Sequence, residues 1–278
     1  MVRISDMEPL KELSRLLEHY RSLGMERLPR TGQIEQLLAF EPSKVHRDSR
    51  SQAGATGSGP EGVGGLDRAS SQAMDPGQYR SLMELRQAVE QCRRCRLHET
   101  RTKVVFGQGP ERARLMLVGE APGRNEDLQG LPFVGRSGEL LTKMLRAINI
   151  ERREVFITSV VKCRPPKNRT PKSDEIAACL PWLKGQIGLI RPSIILCLGT
   201  TSAHALLDTD APMAKLRGRF HPLPDGFWPD GISNPSAIKV AVTYHPAYLL
   251  RFGGAKQKAL KLEAWHDLQM VEREYKNL

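Results

Sequence analysis

The stretch RLMLVGEAPGRNED, residues 114–127, decides how this chain folds. Its first half is an apolar run bounded by Arg114 and Glu120, which predicts a buried β-strand. The run ends at Gly119 and continues into a tight Gly-Pro loop, GEAPG, that closes at Gly123. A continuous apolar strand followed by such a loop is typical of a parallel sheet that is covered on both faces.

Three more apolar runs follow, and segments with helical spacing alternate with them. The later predicted strands are VFITSVV (155–161), SIILCLG (193–199) and AIKVAVTYHP (237–246), and the predicted helices are 79–94, 137–148, 173–187, 201–207 and 256–275. Ser173 and Glu175 supply capping groups where the third helix begins. The alternation predicts an α/β fold, a three-layer α/β/α arrangement with a central, mostly parallel, four-stranded sheet. Ligands of such sheets bind beyond the carboxyl ends of the strands.

The charge of the chain is unevenly distributed. Its 278 residues have a net charge of +11 and a mean hydropathy of -0.40, and no apolar run approaches the roughly 20 residues of a membrane-spanning helix. Residues 1–80 carry 11 basic and 11 acidic side chains, so the whole basic excess lies in residues 81–278. A basic domain favours a polyanionic partner, most simply nucleic acid, although a merely soluble basic surface has the same composition.

The composition divides the chain into three parts. Residues 1–49 form a leader with two short predicted helices, 8–19 and 34–40. Residues 50–75 are rich in Gly and Ser and predict a flexible linker, whereas residues 76–278 form the patterned domain. The leader either binds a protein partner or is a partly ordered tail. Its charged start lacks the apolar region of a secretory signal, so we expect a cytoplasmic, monomeric protein.

Polar and aromatic side chains cluster in the loops that follow the first and last predicted strands. Glu120 and Asp127 place carboxylates near the glycines of GEAPG. Phe133, in otherwise polar loop sequence, is either a platform for a flat ring or a side chain folded onto the core. His245 begins the loop of YHPAYLLR (244–251) and is either a catalytic or a structural histidine. The apolar residues after it suit insertion between the bases of a duplex.

Four of the five cysteines have a spacing typical of a metal centre. Cys92 and Cys95 form a C-x2-C pair, Cys163 follows the second strand, and Cys179 lies in the next helix. In a reducing compartment such thiols bind metal, act in catalysis or pack in the core, rather than form disulfides. Four thiolates suit either zinc or a 4Fe-4S cluster. Cys197, inside the third apolar run, is predicted to be a core residue.

Six ordered motifs together resemble the family 4 uracil-DNA glycosylases, the iron-sulfur type found in bacteria and archaea. They are the C-x2-C pair, GEAPGRNED (119–127), GLPFVGRSGELL (130–141), VKCRPPKNR (161–169), the fourth cysteine and YHPAYLLR (244–251). The resemblance covers residues 82–251 and leaves residues 1–80 outside it. It implies a uracil-DNA glycosylase-like α/β/α domain and hydrolysis of the N-glycosidic bond of a deaminated base in DNA. It also implies one structural 4Fe-4S cluster held by Cys92, Cys95, Cys163 and Cys179.

The resemblance implies a role for each matching residue. The base-binding residues would be Gly119, Ala121, Gly123, Asp127, Phe133 and Ser159, the catalytic residues Glu120 and His245, and the DNA-intercalating residues Leu249, Leu250 and Arg251. By this resemblance, Phe133 would stack on the flipped base, and His245 would donate a hydrogen bond to it as it leaves. Glu120, or Asp127 in its place, would hold the attacking water or stabilise the sugar cation. Since no lysine nucleophile is evident, we expect base removal without strand cleavage, by an enzyme working at the nucleoid.

One position departs from the family pattern. Where family members carry Asn in a T-N-x-V-K-C sequence, this chain has Ser159 between Thr158 and Val160. A side-chain amide pairs with both N3–H and O4 of uracil, whereas a hydroxyl makes a single contact at shorter reach. Uracil is the expected substrate, and two alternatives stay open: another deaminated base such as hypoxanthine or xanthine, or DNA binding without catalysis.

A chain that lacks residues 1–75 should keep its fold and most of its DNA affinity, because the basic excess lies beyond residue 80. Fluorescence anisotropy with a uracil-containing duplex, at one salt concentration, measures the Kd of the full and shortened chains. A loss of more than about tenfold in affinity, roughly 1.4 kcal/mol, would instead place the binding surface in the leader.

Overall fold

The computed structural model describes residues 79–224 and 238–278. The predicted leader and linker lie outside these residues, so the domain boundaries stay predictions. In chain order the helices and strands are α1 (Leu82–Glu90), β1 (Leu115–Gly119), α2 (Arg124–Gln129), α3 (Arg136–Ala147), β2 (Phe156–Ser159), α4 (Ser173–Ile190), β3 (Ile194–Leu198), α5 (Thr200–Leu207), α6 (Met213–Leu216), β4 (His221–Pro222), β5 (Lys239–Thr243), α7 (Pro246–Leu249) and α8 (Gly254–Lys276). Short 3-10 turns occur at Arg96–Glu99, Arg152–Glu154 and Pro166–Asn168.

Four parallel strands form the body of the sheet, as predicted. The strand order is β2-β1-β3-β5-β4, and β1 pairs in parallel with both β2 and β3. Every residue of β1 is buried, which explains its unbroken apolar run. The chain leaves β1 towards β2 and leaves β3 towards β5, on the other side. The loops after β1 and β3 therefore diverge and leave a crevice between them.

Helices cover both faces of the sheet and complete the predicted α/β/α arrangement. On one face, α1, α4 and α5 pack through residues such as Leu85, Leu183 and Leu206, and the predicted core residue Cys197 is buried among them. On the other face, α3 and α8 contribute apolar residues such as Leu141. Among the described helices none is both long enough and apolar enough to cross a membrane.

Both edges of the sheet differ from what the sequence predicts. A fifth strand, β4, pairs antiparallel with β5 and consists of only His221 and Pro222. Two residues carry no periodic pattern, so this strand has no sequence signal. At the other edge, Gln108 and Ile157 of β2 exchange backbone hydrogen bonds of 2.9 and 2.8 Å. The backbone amide and carbonyl of Ile157, which face away from β1, are therefore already paired.

Two segments predicted as loops contain short helices. The six-residue α2 begins after Gly123, and the four-residue α7 begins after His245, whose side chain caps it. Neither is long enough to show the periodicity by which a helix is identified in sequence. At the start of α4, Glu175 provides the predicted cap by accepting a 2.8 Å hydrogen bond from the Lys172 amide. The prediction for Ser173 was wrong, because Ser173 is the first residue of the helix and not its cap.

Candidate active site and cysteine cavity

The candidate site lies at the carboxyl ends of the parallel strands. Gly119 ends β1, Ser159 ends β2, and the two are paired in register. A Cβ atom on Gly119 would lie 2.7 Å from Cζ of Phe133 and 3.2 Å from Oγ of Ser159, so glycine permits their close approach. The Phe133 ring stacks on His245, with 5.5 Å between ring centroids and 29° between the planes. The fold thus brings four of the predicted site residues together.

Glu126 fixes the loop that carries Phe133. Its Oε1 accepts hydrogen bonds of 2.9 and 3.0 Å from the amides of Val134 and Gly135, and its Oε2 accepts one of 3.1 Å from the Gly123 amide. Phe133 itself has φ of 51°, a left-handed conformation that is uncommon outside glycine and needs such support. Sequence reasoning missed Glu126, although a Glu three residues after a helix-starting residue is the glutamate half of a capping box.

His245 is arranged as a neutral hydrogen-bond donor. Its Nδ1 accepts a 3.1 Å hydrogen bond from the Ala247 amide, so the one proton of the neutral ring lies on Nε2. Burial, and to a smaller extent the positive charge of Arg251, lower the pKa of His245 to about 4, while Glu126 acts in the opposite direction. The ring is therefore uncharged at neutral pH. Its N–H is on Nε2, the nitrogen that does not cap α7.

Glu120 lies in the crevice between β1 and β3. Its Oε2 accepts a 2.5 Å hydrogen bond from Oγ1 of Thr201, in the first turn of α5, and no hydrogen bond from a described residue reaches Oε1. Gly199, just before α5, has φ of 94°, and a Cβ there would lie 3.0 Å from Cβ of His245. One helix start thus contacts both predicted catalytic residues. Sequence reasoning missed Thr201, although it follows the third strand at the edge where ligands bind.

The loop after β1 contains three further predicted base-binding residues. Ala121 and Gly123 are partly exposed, as a base-contacting backbone requires. Asp127, by contrast, is 2% exposed, and its Oδ1 accepts hydrogen bonds of 2.8 and 3.4 Å from the amides of Thr102 and Lys103. A buried carboxylate engaged by a neighbouring segment does not suit base or water binding. We therefore correct its assignment to a structural role.

The three predicted intercalating residues lie in different environments. Leu249 is fully buried, in the apolar core that also contains α3 and α8. It is therefore not available for insertion into DNA, and we correct that assignment. The reason is that the segment forms α7, which turns Leu249 inward. Leu250 is partly exposed and Arg251 is exposed, so these two still fit a wedge.

Lys162 ties the end of β2 to α4. Its buried ammonium donates hydrogen bonds of 2.7 Å to Thr158 Oγ1, 2.7 Å to the Ser159 carbonyl and 2.6 Å to Gln186 Oε1. Burial lowers the pKa of Lys162 to about 7, and Cys179 and Cys163 act in the opposite direction. All three donor positions are engaged, so this lysine is not aimed at a substrate. Sequence reasoning gave it no role.

The four predicted cysteine ligands line one cavity: Cys92, Cys95, Cys163 and Cys179. Three of the sulfurs accept hydrogen bonds. The Trp182 indole donates to Cys92 at 3.2 Å, the Arg101 guanidinium to Cys163 at 3.2 Å, and the Lys162 amide to Cys179 at 3.3 Å. Donors placed around sulfur in this way stabilise bound thiolates.

The cysteine cavity suits a metal centre held by thiolates. Burial raises the pKa of Cys179 to about 12, although Lys162 opposes the change, so this thiol ionises when a metal takes up its charge. Four thiolates suit either zinc or a 4Fe-4S cluster.

The sequence of the domain is similar to those of known proteins. A sequence model of the Uracil DNA glycosylase superfamily matches residues 106–269, which include every strand that forms the site. The chain therefore belongs to the uracil-DNA glycosylase superfamily, as its motifs predict.

Within the superfamily, the chain is similar to enzymes of one type. A type-4 uracil-DNA glycosylase of Pyrobaculum aerophilum is 42% identical over 189 residues, which cover 68% of this chain and 92% of the relative. That of Thermotoga maritima is 44% identical over 184 residues, or 66% and 90% of the two chains. A type-5 enzyme of Pyrobaculum aerophilum is 32% identical over 156 residues, or 51% and 64%. The chain is a member of the type-4 uracil-DNA glycosylase family.

His245 should make the folded state sensitive to acid. Its pKa is about 4 in the folded chain against an ordinary 6.5, so between these values the unfolded chain binds more protons. The stabilisation is fully present above about pH 6.5 and is lost as the pH falls towards 4. We expect His245 to account for a loss of about 1–2 kcal/mol in the free energy of unfolding between pH 6.5 and 5. Urea unfolding of the wild type and His245→Asn across this range measures it, and equal slopes for both would contradict it.

Proposed function

We propose that this chain removes uracil from DNA by hydrolysing the bond between the base and its sugar, which leaves an abasic site. The observation that carries the proposal is the arrangement at the carboxyl edge of the sheet in a type-4 family member: Phe133 stacks on His245, and the start of α5 contacts both His245 and Glu120. The basic excess of residues 81–278 suits a DNA substrate. Removal of a deaminated base is the first step of base excision repair.

The target base must leave the helix before it reacts. The glycosidic bond of a stacked base is inaccessible, so the nucleotide is flipped out, at a cost of a few kcal/mol for unstacking. Leu250 and Arg251, at the surface end of α7, fill the space that the base vacates. Arg251 is close enough to His245 to act on its pKa, which supports a position at the mouth of the base pocket.

The flipped base binds against an aromatic ring and backbone. Phe133 stacks on the base, and the backbone of Gly119, Ala121 and Gly123 forms the adjacent wall. Glu126 supports this arrangement, because its carboxylate holds the loop of Phe133 and the Gly123 amide in fixed positions. Rigid loops of this kind reduce the ordering cost when a ligand binds.

His245 acts on the leaving base. As the glycosidic bond lengthens, negative charge develops on the base and positive charge on the sugar. The N–H on Nε2 donates a hydrogen bond to the developing anion, and the fixed tautomer keeps this donor in place. Because the ring is neutral, it stabilises the base as a hydrogen-bond donor and not as a charged acid.

Glu120 acts on the sugar side of the bond. Its Oε1, which accepts no hydrogen bond from the described residues, holds the attacking water or stabilises the cationic sugar. The buried Lys162 is fully engaged by protein acceptors, which supports hydrolysis by water without strand cleavage.

Ser159 bears on which base is accepted. It is 4% exposed, and its hydroxyl lies beside Gly119 at the place where the base edge would be read. One hydroxyl discriminates less between uracil and cytosine than an amide. Hypoxanthine and xanthine are therefore alternative substrates. DNA binding without catalysis is a second candidate function.

We further propose that Cys92, Cys95, Cys163 and Cys179 hold one 4Fe-4S cluster. When bound, the cluster supplies a covalent link between the segment before β1, the loop after β2 and α4, and it takes no part in the reaction. Around it, Arg101, Trp182 and the Lys162 amide donate hydrogen bonds to the sulfurs and stabilise their negative charge.

The remaining expectations concern the surroundings of the enzyme. We propose that the chain acts as a monomer on the DNA of the nucleoid, in the cytoplasm. Residues 1–49 are the candidate segment for a protein partner. Copurification of partners with the full chain, compared with a chain lacking residues 1–75, would address the role of the leader.

Exchange of Ser159 should reveal how the base is read. If the pocket works and lacks only the Asn side-chain amide that pairs with uracil, Ser159→Asn raises uracil excision by about tenfold or more. The reason is that one hydrogen bond made in the transition state contributes about 1–3 kcal/mol. His245→Ala lowers excision of every accepted base. Single-turnover release of uracil, hypoxanthine and xanthine from matched oligonucleotides measures both variants against the wild type.

The outcomes separate the candidate functions. A wild type that is already fast on uracil, together with an unchanged or slower Ser159→Asn, would show that another group reads the base. If neither protein releases any base, the chain binds DNA without catalysis.

The purified protein should be brown and contain roughly four iron atoms per chain, because four cysteines line the cavity. Anaerobic purification followed by metal analysis and visible absorption measures the content. Exchange of the core residue Cys197 for Ala serves as the control and should keep the iron, whereas Cys163→Ala should lose it. One zinc ion in place of iron would contradict the cluster assignment.

A further inference from the structure

Thr201 and Glu120 meet across the crevice between β1 and β3, although they are 81 residues apart in the chain. The Thr201 hydroxyl donates a hydrogen bond of 2.5 Å to Oε2 of Glu120. This is at the short end for a hydroxyl donor and is typical of a bond to a charged oxygen. A side-chain contact this short between a loop and the first turn of a helix holds both side chains in one conformation.

Both ends of this contact are fixed by the sheet. The Glu120 carbonyl accepts a 3.1 Å hydrogen bond from the Val161 amide, just beyond β2. Thr201 lies in the first turn of α5, and the Gly199 amide before that helix donates a 2.9 Å hydrogen bond to the Thr243 carbonyl of β5. The position of the hydroxyl relative to Glu120 is therefore set by three strands and not by a flexible loop.

We propose that Thr201 is a positioning residue for the glycosylase reaction: it holds one oxygen of Glu120 so that the other faces the reacting sugar and water. This inference rests on the proposed function of Glu120. A free glutamate side chain rotates about three bonds and presents its carboxylate in many directions. With Oε2 held, Oε1 keeps one direction, and fixed orientation of a reacting group is a large contribution to catalysis.

The same helix start also sets the distance between the two sides of the reaction. Gly199, two residues before Thr201, approaches His245 so closely that a Cβ would lie 3.0 Å from the His245 Cβ. His245 acts on the base and Glu120 on the sugar. A single rigid turn therefore positions the group that faces the developing negative charge and the group that faces the developing positive charge.

The test removes only the hydroxyl. Thr201→Val keeps the shape of the side chain and loses the donor, Thr201→Ser keeps the donor, and Thr200→Val is a matched control at an exposed neighbour in the same turn. Single-turnover uracil release at increasing enzyme concentration gives the maximal rate and the half-saturating concentration separately. We expect Thr201→Val to lower the maximal rate by about tenfold or more at an unchanged half-saturating concentration. Thr201→Ser restores most of the rate, and Thr200→Val matches the wild type.

A second measurement asks whether the effect passes through Glu120. In a Glu120→Gln background, Thr201→Val should change the rate by less than about twofold, because the two residues act as a unit. The inference is overturned if Thr201→Val matches the wild type, if Thr201→Ser fails to restore the rate, or if the loss is equally large in both backgrounds. Thermal unfolding of each variant establishes that the comparison is between folded proteins.

A binding measurement separates this inference from the proposed function. DNA with a pyrrolidine in place of the target nucleoside carries the positive charge that develops on the sugar, and DNA with a tetrahydrofuran there is its neutral counterpart. We expect the wild type to prefer pyrrolidine DNA and Thr201→Val to lose about tenfold of that preference. If the wild type releases no uracil, hypoxanthine or xanthine, the proposed function is wrong. An undiminished preference in Thr201→Val would overturn the role of Thr201 whatever the activity.

Discussion

Parallel pairing of β1 with β2 on one side and β3 on the other is the constraint on which the rest of the structure depends. Parallel strands all end at the same edge, and their crossover connections must cover the faces. Because the connections after β1 and β3 leave in opposite directions, the crevice opens between them. Gly119 and Ser159 at strand ends then meet Phe133 and His245 in the loops, although these residues come from different parts of the sequence.

The base pocket and the cysteine cavity share one structural element. Ser159 ends β2 beside the pocket, and Cys163 follows it by four residues at the cavity. Lys162 lies between them and binds the Ser159 carbonyl through its side chain and the Cys179 sulfur through its backbone amide. A bound cluster that stiffens the Cys163 segment therefore also stiffens the strand end at which a base edge would be read. This coupling is a physical reason for the proposed cluster to have a structural role.

The strands were predictable from sequence because each is buried on both faces and must be apolar throughout, as in Leu115–Gly119. The convergence of four cysteines on one cavity was predictable from the C-x2-C pair and the two later cysteines. The buried positions of Leu249 and Asp127 could not be predicted, because tertiary contacts set the direction of a loop side chain. A one-turn helix, for example, turns Leu249 into the core. Thr201 was missed for a related reason, because its partner Glu120 is distant in the chain and no local pattern records the contact.

The two edges of the sheet bear on how the enzyme behaves at high concentration. An open edge strand is a template on which a second molecule adds its own strand, the first step of aggregation. Here the outer amide and carbonyl of Ile157 are occupied by Gln108, and the strand at the far edge is only two residues long and contains a proline, which has no amide to offer. A second molecule therefore has few free backbone groups to pair with at either described edge strand. The carboxyl edge of the sheet can face DNA while the edge strands stay closed to other copies of the chain.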